Sequence, residues 1–169
     1  TESIHWFKFR VETQSIPQEL SLEIKNHLIN HLELFEVHER KVTSLGKSGD
    51  WLPFSQRPTP SRTFVYPISL EAYDEADFYL RLDKRYENLA TEITLWQTND
   101  FEDRDQREYL LWGIFIGVVL FIIILNLIFW NTTKDTVYLW YSAYIAGLTL
   151  RQLADSGLGF QYIWPHLPM

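Results

Sequence analysis

Hydrophobic and polar positions follow two different patterns along the chain, and the change between them falls near residue 108. Before it, apolar residues alternate with polar ones at a period of two, which is typical of strands with one buried face. After it, long apolar stretches carry almost no charge. Alternating runs bounded by turn residues predict strands at residues 6–12, 19–25, 32–39, 63–70, 77–83 and 91–97.

The segments between these strands are rich in glycine and proline. Residues 46–50 read GKSGD and residues 57–61 read RPTPS, with Pro53 between them. Many short strands with such punctuation, and no long helical pattern, predict an antiparallel β-sandwich or jelly roll for residues 1–100.

The predicted outward faces of three strands combine aromatic and charged side chains. These are Trp6 and Arg10 on the first strand, Tyr79 and Arg81 on the fifth, and Trp96 on the sixth. If the strands share one sheet, this face suits a sugar or similar polar ligand, because aromatic rings stack on C–H surfaces while charged groups bond hydroxyls or carboxylates. The alternative is a solvated face with cross-strand charge pairs and a tryptophan covered by an interdomain contact.

Residues 109–130 form an uncharged apolar run that is long enough, at 1.5 Å per residue, to cross the roughly 30 Å hydrocarbon layer of a bilayer. After a polar turn at 131–135, a second apolar stretch at 136–154 completes a predicted transmembrane hairpin. Within residues 155–169, a loop at 155–159 precedes Phe160, Tyr162 and Trp164, which are typical of a membrane interface. Such a hairpin leaves surfaces for further helices, so we expect a longer parent protein.

A densely charged connector, FEDRDQRE at residues 101–108, joins the two regions. It either continues the first helix outward as a stiff lever or forms a flexible solvated linker, and the sequence leaves both possibilities open.

Charge and composition narrow the classes of partner. Only Lys134, Arg151, Asp135 and Asp155 carry charge after residue 108, so the net charge of −7 belongs to the front region. An acidic domain argues against nucleic acid as a partner. There are no cysteines, which excludes disulfides and thiolate sites. His27 and His31 lie at the i, i+4 spacing of a helical metal pair, but their surroundings indicate strand and turn, so no metal or cofactor is expected.

Three segments give the sequence a family resemblance: GDWLPFSQRP at residues 49–58, FYLRL at 78–82, and SGLGFQYIWP at 156–165 after the second apolar stretch. In these the chain resembles bacterial seven-transmembrane receptors with diverse intracellular signalling modules. The resemblance implies a jelly-roll sensor domain similar to carbohydrate-binding modules, seven helices, and a cytoplasmic output such as a histidine kinase or diguanylate cyclase. It places residues 1–108 outside the cytoplasm, in a multi-pass protein of the inner membrane. Trp51, Phe54, Arg57 and Arg81 fall on recurring positions of the family.

The leading hypothesis is therefore a receptor whose outer sandwich binds a small ligand, plausibly a carbohydrate, and signals through lipid-embedded helices. Its candidate ligand-binding residues are Trp6, Arg10, Trp51, Arg57, Tyr79, Arg81 and Trp96. The alternative is a module that contacts a periplasmic protein or a second copy of itself as a homodimer. An enzyme is the least favoured class, because the chain has no GxSxG, HExxH or phosphate loop, and kinase or cyclase activity is expected only in a cytoplasmic domain outside it.

Overall fold

The computed structural model of the chain describes residues 2–26, 29–38, 41–85 and 91–166. It consists of a β domain followed by helices. Its strands are β1 (Glu2–Glu12), β2 (Gln18–Ile24), β3 (His31–His38), β4 (Lys41–Ser48), β5 (Phe64–Leu70), β6 (Glu75–Arg85) and β7 (Ile93–Gln97). Its helices are α1 (Thr98–Thr133), α2 (Val137–Asp155) and α3 (Leu158–Tyr162), and a single 3₁₀ turn lies at Phe54–Gln56.

The β domain packs two antiparallel sheets around one apolar core, which confirms the predicted fold class. A four-stranded sheet has the order β1-β6-β3-β4, and a three-stranded sheet has the order β5-β2-β7. The core is filled mainly by inward-facing side chains of β2, β3, β5 and β6. These are Leu20, Leu22, Ile24, Leu32, Leu34, Phe64, Tyr66, Ile68, Leu70, Ala76, Phe78, Leu80 and Leu82.

All six predicted strands form, and a seventh, β4, was not predicted. Its sequence, KVTSLGKS, does not alternate, and residues 46–48 were assigned to a turn. The pairing with β3 explains this, because the register shifts between Leu34 and Phe35 and leaves Leu45 as an extra residue. A bulge of this kind breaks the period of two on which the sequence prediction depends.

Strand β2 is buried on both faces. Leu20, Leu22 and Ile24 face the core, while Ser21 and Glu23 lie on the opposite face and are also buried. The cover over that second face is the start of α1, where the Thr98 hydroxyl lies 3.1 Å from that of Ser21 and Phe101 is buried. The β domain therefore extends its packing to the first turns of the long helix.

Helix α1 begins at the residue after β7 and runs for 36 residues, or about 54 Å. The connector at residues 101–108 is therefore helical and not a flexible linker. By length and composition α1 is the one helix among the described residues that is long and apolar enough to span a membrane, with a mean hydropathy of 2.8 over its most apolar window.

The second helix runs antiparallel to the first. α2 has 19 residues, and near the connecting turn the Phe129 and Tyr138 rings stack with their centroids 5.6 Å apart. The predicted loop at 155–159 is wrong at its end, because α3 already begins at Leu158. Gly157 enables this early start, since it adopts φ 80° at the turn, a conformation that glycine reaches without strain.

Candidate ligand-binding face and helix interface

Four of the predicted site residues lie together on the outer face of the four-stranded sheet. Antiparallel pairing puts Trp6 of β1 opposite Arg81 of β6, and Arg81 opposite Glu33 of β3. The same register carries Tyr79 and Arg10 along this face. Aromatic contact continues across the sheet, because the Trp6 and Phe35 rings stack with centroids 6.0 Å apart. We call this surface the outer face.

One end of the outer face is an ion-pair cluster. Arg10 donates from Nε to Asp77 Oδ1 at 2.7 Å, and Lys8 Nζ lies 2.9 Å from Asp77 Oδ2. The hydrogen bonds from Arg10 and Lys8 lower the pKa of Asp77 from 3.8 to about 2. Arg10 is therefore engaged in a cross-strand ion pair, as the alternative of a solvated sheet face anticipated.

The other end of the outer face contains a cleft of about 370 Å³. It is lined by His31, Leu32, Glu33, Lys47, Ser48, Leu52, Arg81 and Asp83. Trp51 stands at its edge with 41% of its surface exposed, and its ring meets that of His31 edge-on at a centroid distance of 5.4 Å. The structure thus places Trp51, a site residue predicted from the loop after β4, against His31, which lines the cleft together with Arg81.

The cations of the outer face differ in their partners. Lys47 Nζ lies 3.6 Å from Glu33 Oε1, and Lys8 and Arg10 share Asp77. Arg81 is half-buried, yet in the part of the chain that the structure describes its guanidinium makes no hydrogen bond or ion pair. A cation that is partly removed from water without a counter-ion is costly, and this distinguishes Arg81 from the paired cations of the outer face.

Arg57 has a different position from the other predicted site residues, because it is buried beneath the loop that follows β4. Its Nη1 donates to the carbonyl of Ser61 at 2.7 Å and to that of Arg62 at 3.1 Å. Its guanidinium also lies over the rings of Phe64 at 4.4 Å and Phe54 at 4.8 Å. Burial lowers the pKa of Arg57 to about 10, so it remains a cation at neutral pH and holds the loop.

Trp96 does not belong to the outer face. The condition that all three candidate strands share one sheet is wrong, because β7 pairs with β2 in the three-stranded sheet. There the Trp96 Nε1–H donates to Glu23 Oε2 at 3.0 Å, and Arg104 of α1 lies 4.6 Å over the Trp96 ring. Trp96 therefore contacts the connecting helix, as in the alternative of a covered tryptophan.

Glu23 and Arg104 form the centre of this contact, and sequence reasoning missed both. The Glu23 carboxylate is buried and accepts from Arg104 Nη2 at 2.6 Å and from the Thr63 hydroxyl at 3.2 Å. Arg104 Nε lies 3.5 Å from Glu108, which also pairs with Arg62 of the β domain. Glu23 sits among the polar positions of an alternating strand, and only a covering helix distinguishes it from a solvated carboxylate.

A second contact joins the loop after β4 to the end of the helical region. The Phe54 amide donates to the carbonyl of Pro165 at 3.1 Å, and the Phe54 ring packs edge-on against Phe160 with centroids 5.8 Å apart. Close by, the Tyr109 hydroxyl donates to Gln161 Oε1 at 2.8 Å, and Gln161 Nε2 donates to the Pro60 carbonyl at 3.3 Å. We call this contact the loop–α3 interface.

The side chains of the described residues were also compared with the requirements of a metal-binding site. Within the described ranges no group of three or more His, Cys, Asp or Glu residues is placed to hold an ion. His27, one half of the histidine pair considered from the sequence, lies outside the described residues.

A β-sandwich packed against the start of a helix that is long and apolar enough to span a membrane is the architecture of a membrane protein with a folded domain on one side of the bilayer. Two family models that match the sequence identify the family. Residues 1–97 match the family model for the 7TMR-DISM extracellular 2 domain, and residues 108–169 match the model described as 7TM diverse intracellular signalling. The chain therefore belongs to the 7TMR-DISM family, which confirms the resemblance seen in its motifs. Searches of curated proteins and of solved structures returned no match.

Proposed function

We propose that the cleft at the outer face binds a small polar ligand of the carbohydrate class, and that the chain is the sensing portion of a signalling receptor. The observation that carries this proposal is the half-buried Arg81, which has no protein partner among the described residues and lines the cleft. Trp6 is 57% exposed directly opposite it. An exposed indole beside a free guanidinium suits a ring that has both C–H and oxygen surfaces.

The route from the cleft to the membrane helices follows the loop after β4. Ser48 and Leu52 line the cleft, and Phe54, two residues further on, forms the loop–α3 interface. A ligand that moves this loop changes how Phe54 sits on Phe160. Binding transmits a signal only to the extent that the ligand favours one of two arrangements of this contact.

The setting of the site follows from the family and from the helices. The family places the β domain outside the cytoplasm, and we infer that α1 and α2 both cross the bacterial inner membrane as parts of a multi-pass bundle. The apolar side chains along both helices are largely exposed, as side chains that face lipid or further helices would be. Lipid is thus the second partner, and we assign any enzymatic output to a cytoplasmic domain.

The test is a thermal-shift screen of the chain in lipid nanodiscs against neutral and acidic sugars and small metabolites. A ligand that binds only the folded state raises the midpoint of unfolding of the β domain with its concentration. The Arg81→Ala variant is expected to lose that shift, while the control Lys25→Ala, on the other sheet, keeps it. A screen without any hit, or a hit that Arg81→Ala retains, contradicts the proposed site.

A second candidate function is self-association through β1, the edge strand of the four-stranded sheet. Its exposed apolar residues Ile4, Trp6 and Phe7 are 48%, 57% and 38% accessible, and exposed edges of this kind favour pairing with another strand. Concentration-dependent dimerisation that Phe7→Lys abolishes, together with no ligand hit, would favour this function over ligand sensing.

A further inference from the structure

We infer that the ligand of the cleft carries a carboxylate group, and that it is an acidic sugar or a similarly hydroxylated acid. This inference deepens the proposed function and rests on it. It begins with the ion pairs of the cleft, because Lys47 is paired with Glu33 while Arg81 forms no ion pair or hydrogen bond among the described residues.

The shape of the cation favours a carboxylate. Guanidinium presents a planar fork of N–H donors that matches the two oxygens of a carboxylate. Arg81 lies on β6, paired on both sides by β1 and β3, so its backbone is fixed and less conformational freedom is lost when it binds. A neutral sugar would leave the half-buried guanidinium of Arg81 without a direct ion pair.

The remaining groups of the cleft require donors on the same ligand. Glu33 has an accessible side-chain fraction of only 12% and already pairs with Lys47, and Asp83, two residues after Arg81 on β6, is buried. Carboxylates accept hydrogen bonds and cannot donate them when ionised. A simple anion would be repelled by these two carboxylates, whereas hydroxyl groups beside the ligand carboxylate can donate to them.

Two indole rings lie next to residues that line the cleft. Trp6 faces Arg81 across the β1–β6 pair, and Trp51 borders the cleft beside His31. Indole rings stack on the apolar faces of pyranose rings. The combination of one free guanidinium, two carboxylate acceptors and two indoles therefore selects a ring that bears hydroxyl groups and a single carboxylate.

The experiment compares sugars that differ only in this group. Glucuronate is measured against glucose and galacturonate against galactose, by titration calorimetry on the chain in lipid nanodiscs. At least one uronate is expected to bind at least tenfold more tightly than its neutral counterpart, with an affinity that falls as salt is raised. Arg81→Gln is expected to weaken uronate binding by about 10- to 100-fold, the usual range for losing a charged hydrogen-bonding partner, and to remove most of the preference for the uronate over the neutral sugar.

The outcomes separate the two levels of the proposal. If glucose or galactose binds as tightly as its uronate, and Arg81→Gln weakens both alike, the carboxylate inference is overturned while ligand sensing at the cleft stands. If none of the four sugars binds, the acidic-sugar inference is rejected, and only a hit elsewhere in the thermal-shift screen would preserve the proposed function. Circular dichroism of Arg81→Gln checks that the sheet is intact, and Arg81→Lys provides a second variant that keeps the charge but loses the fork.

Discussion

Breaking the ion pair between Glu23 and Arg104 is expected to loosen α1 from the β domain, and the structure gives the size of the effect. The Glu23 side chain is only 1% exposed and that of Arg104 is 23% exposed. The control is the pair of Lys25 and Glu92, which is similarly short at 2.8 Å but has side chains that are 37% and 63% exposed. The two pairs differ mainly in burial.

Removing one partner of a buried pair leaves a charge without compensation and costs about 3–5 kcal/mol. In Arg104→Ala, Glu23 keeps the hydrogen bonds from Trp96 and Thr63, so we expect the lower end, about 3 kcal/mol. In a double-mutant cycle with Glu23→Gln, we expect a coupling energy of about 2 kcal/mol or more. The exposed control pair is expected to couple by about 0.2–1 kcal/mol.

The assay is urea unfolding of the chain in lipid nanodiscs, followed by tryptophan fluorescence, with the four members of each cycle compared at a constant m-value. A coupling energy for Glu23 and Arg104 no larger than that of the control pair would refute the reasoning. It would mean that the contact between α1 and β2 contributes nothing beyond a surface ion pair.

Three further predictions concern other contacts. Because Arg10 and Lys8 lower the pKa of Asp77 from 3.8 to about 2, ionised Asp77 stabilises the fold above about pH 4 and this stabilisation is lost as the pH falls towards 2. The melting temperatures of wild type and Asp77→Asn should therefore differ at pH 7 and converge at pH 2, and a constant difference would contradict the assignment. Arg57→Ala is expected to cost about 2–4 kcal/mol in urea unfolding, against less than about 0.5 kcal/mol for the exposed control Arg107→Ala. In Gly159→Ala the new Cβ would lie 2.3 Å from the Trp164 ring, and we expect the resulting shift to cost about 1–3 kcal/mol of stability. Hydrogen exchange at the Phe54 amide should become faster. Unchanged exchange would show that the loop–α3 interface tolerates the shift.

The fold was predictable from the sequence wherever one face of a strand is buried and the other solvated. Phe64, Tyr66, Ile68 and Leu70 alternate with that period, and they are all buried as predicted. The same reasoning fails at β4, where a bulge interrupts the alternation.

The candidate site was predictable only in part, because strand order is not encoded in any one strand. Trp6 and Arg81 were correctly expected to share a face, while Trp96 was grouped with them although β7 belongs to the other sheet. Glu23 and Arg104 are distant in sequence, and neither carries a local signal of burial. Long-range contacts of this kind become visible only when the helix is placed on the sheet.

Strand β7 ends at Gln97, and helix α1 begins at the next residue, Thr98. This direct succession limits the insertions that the protein tolerates between strand and helix. Each residue added at this junction rotates the helix by about 100° and advances it by about 1.5 Å. One insertion would turn Arg104 away from Glu23, whereas about seven residues, close to two full turns, would restore the facing direction but raise the domain about 10 Å from the bilayer. The junction therefore fixes both the height and the rotational phase of the β domain above the membrane.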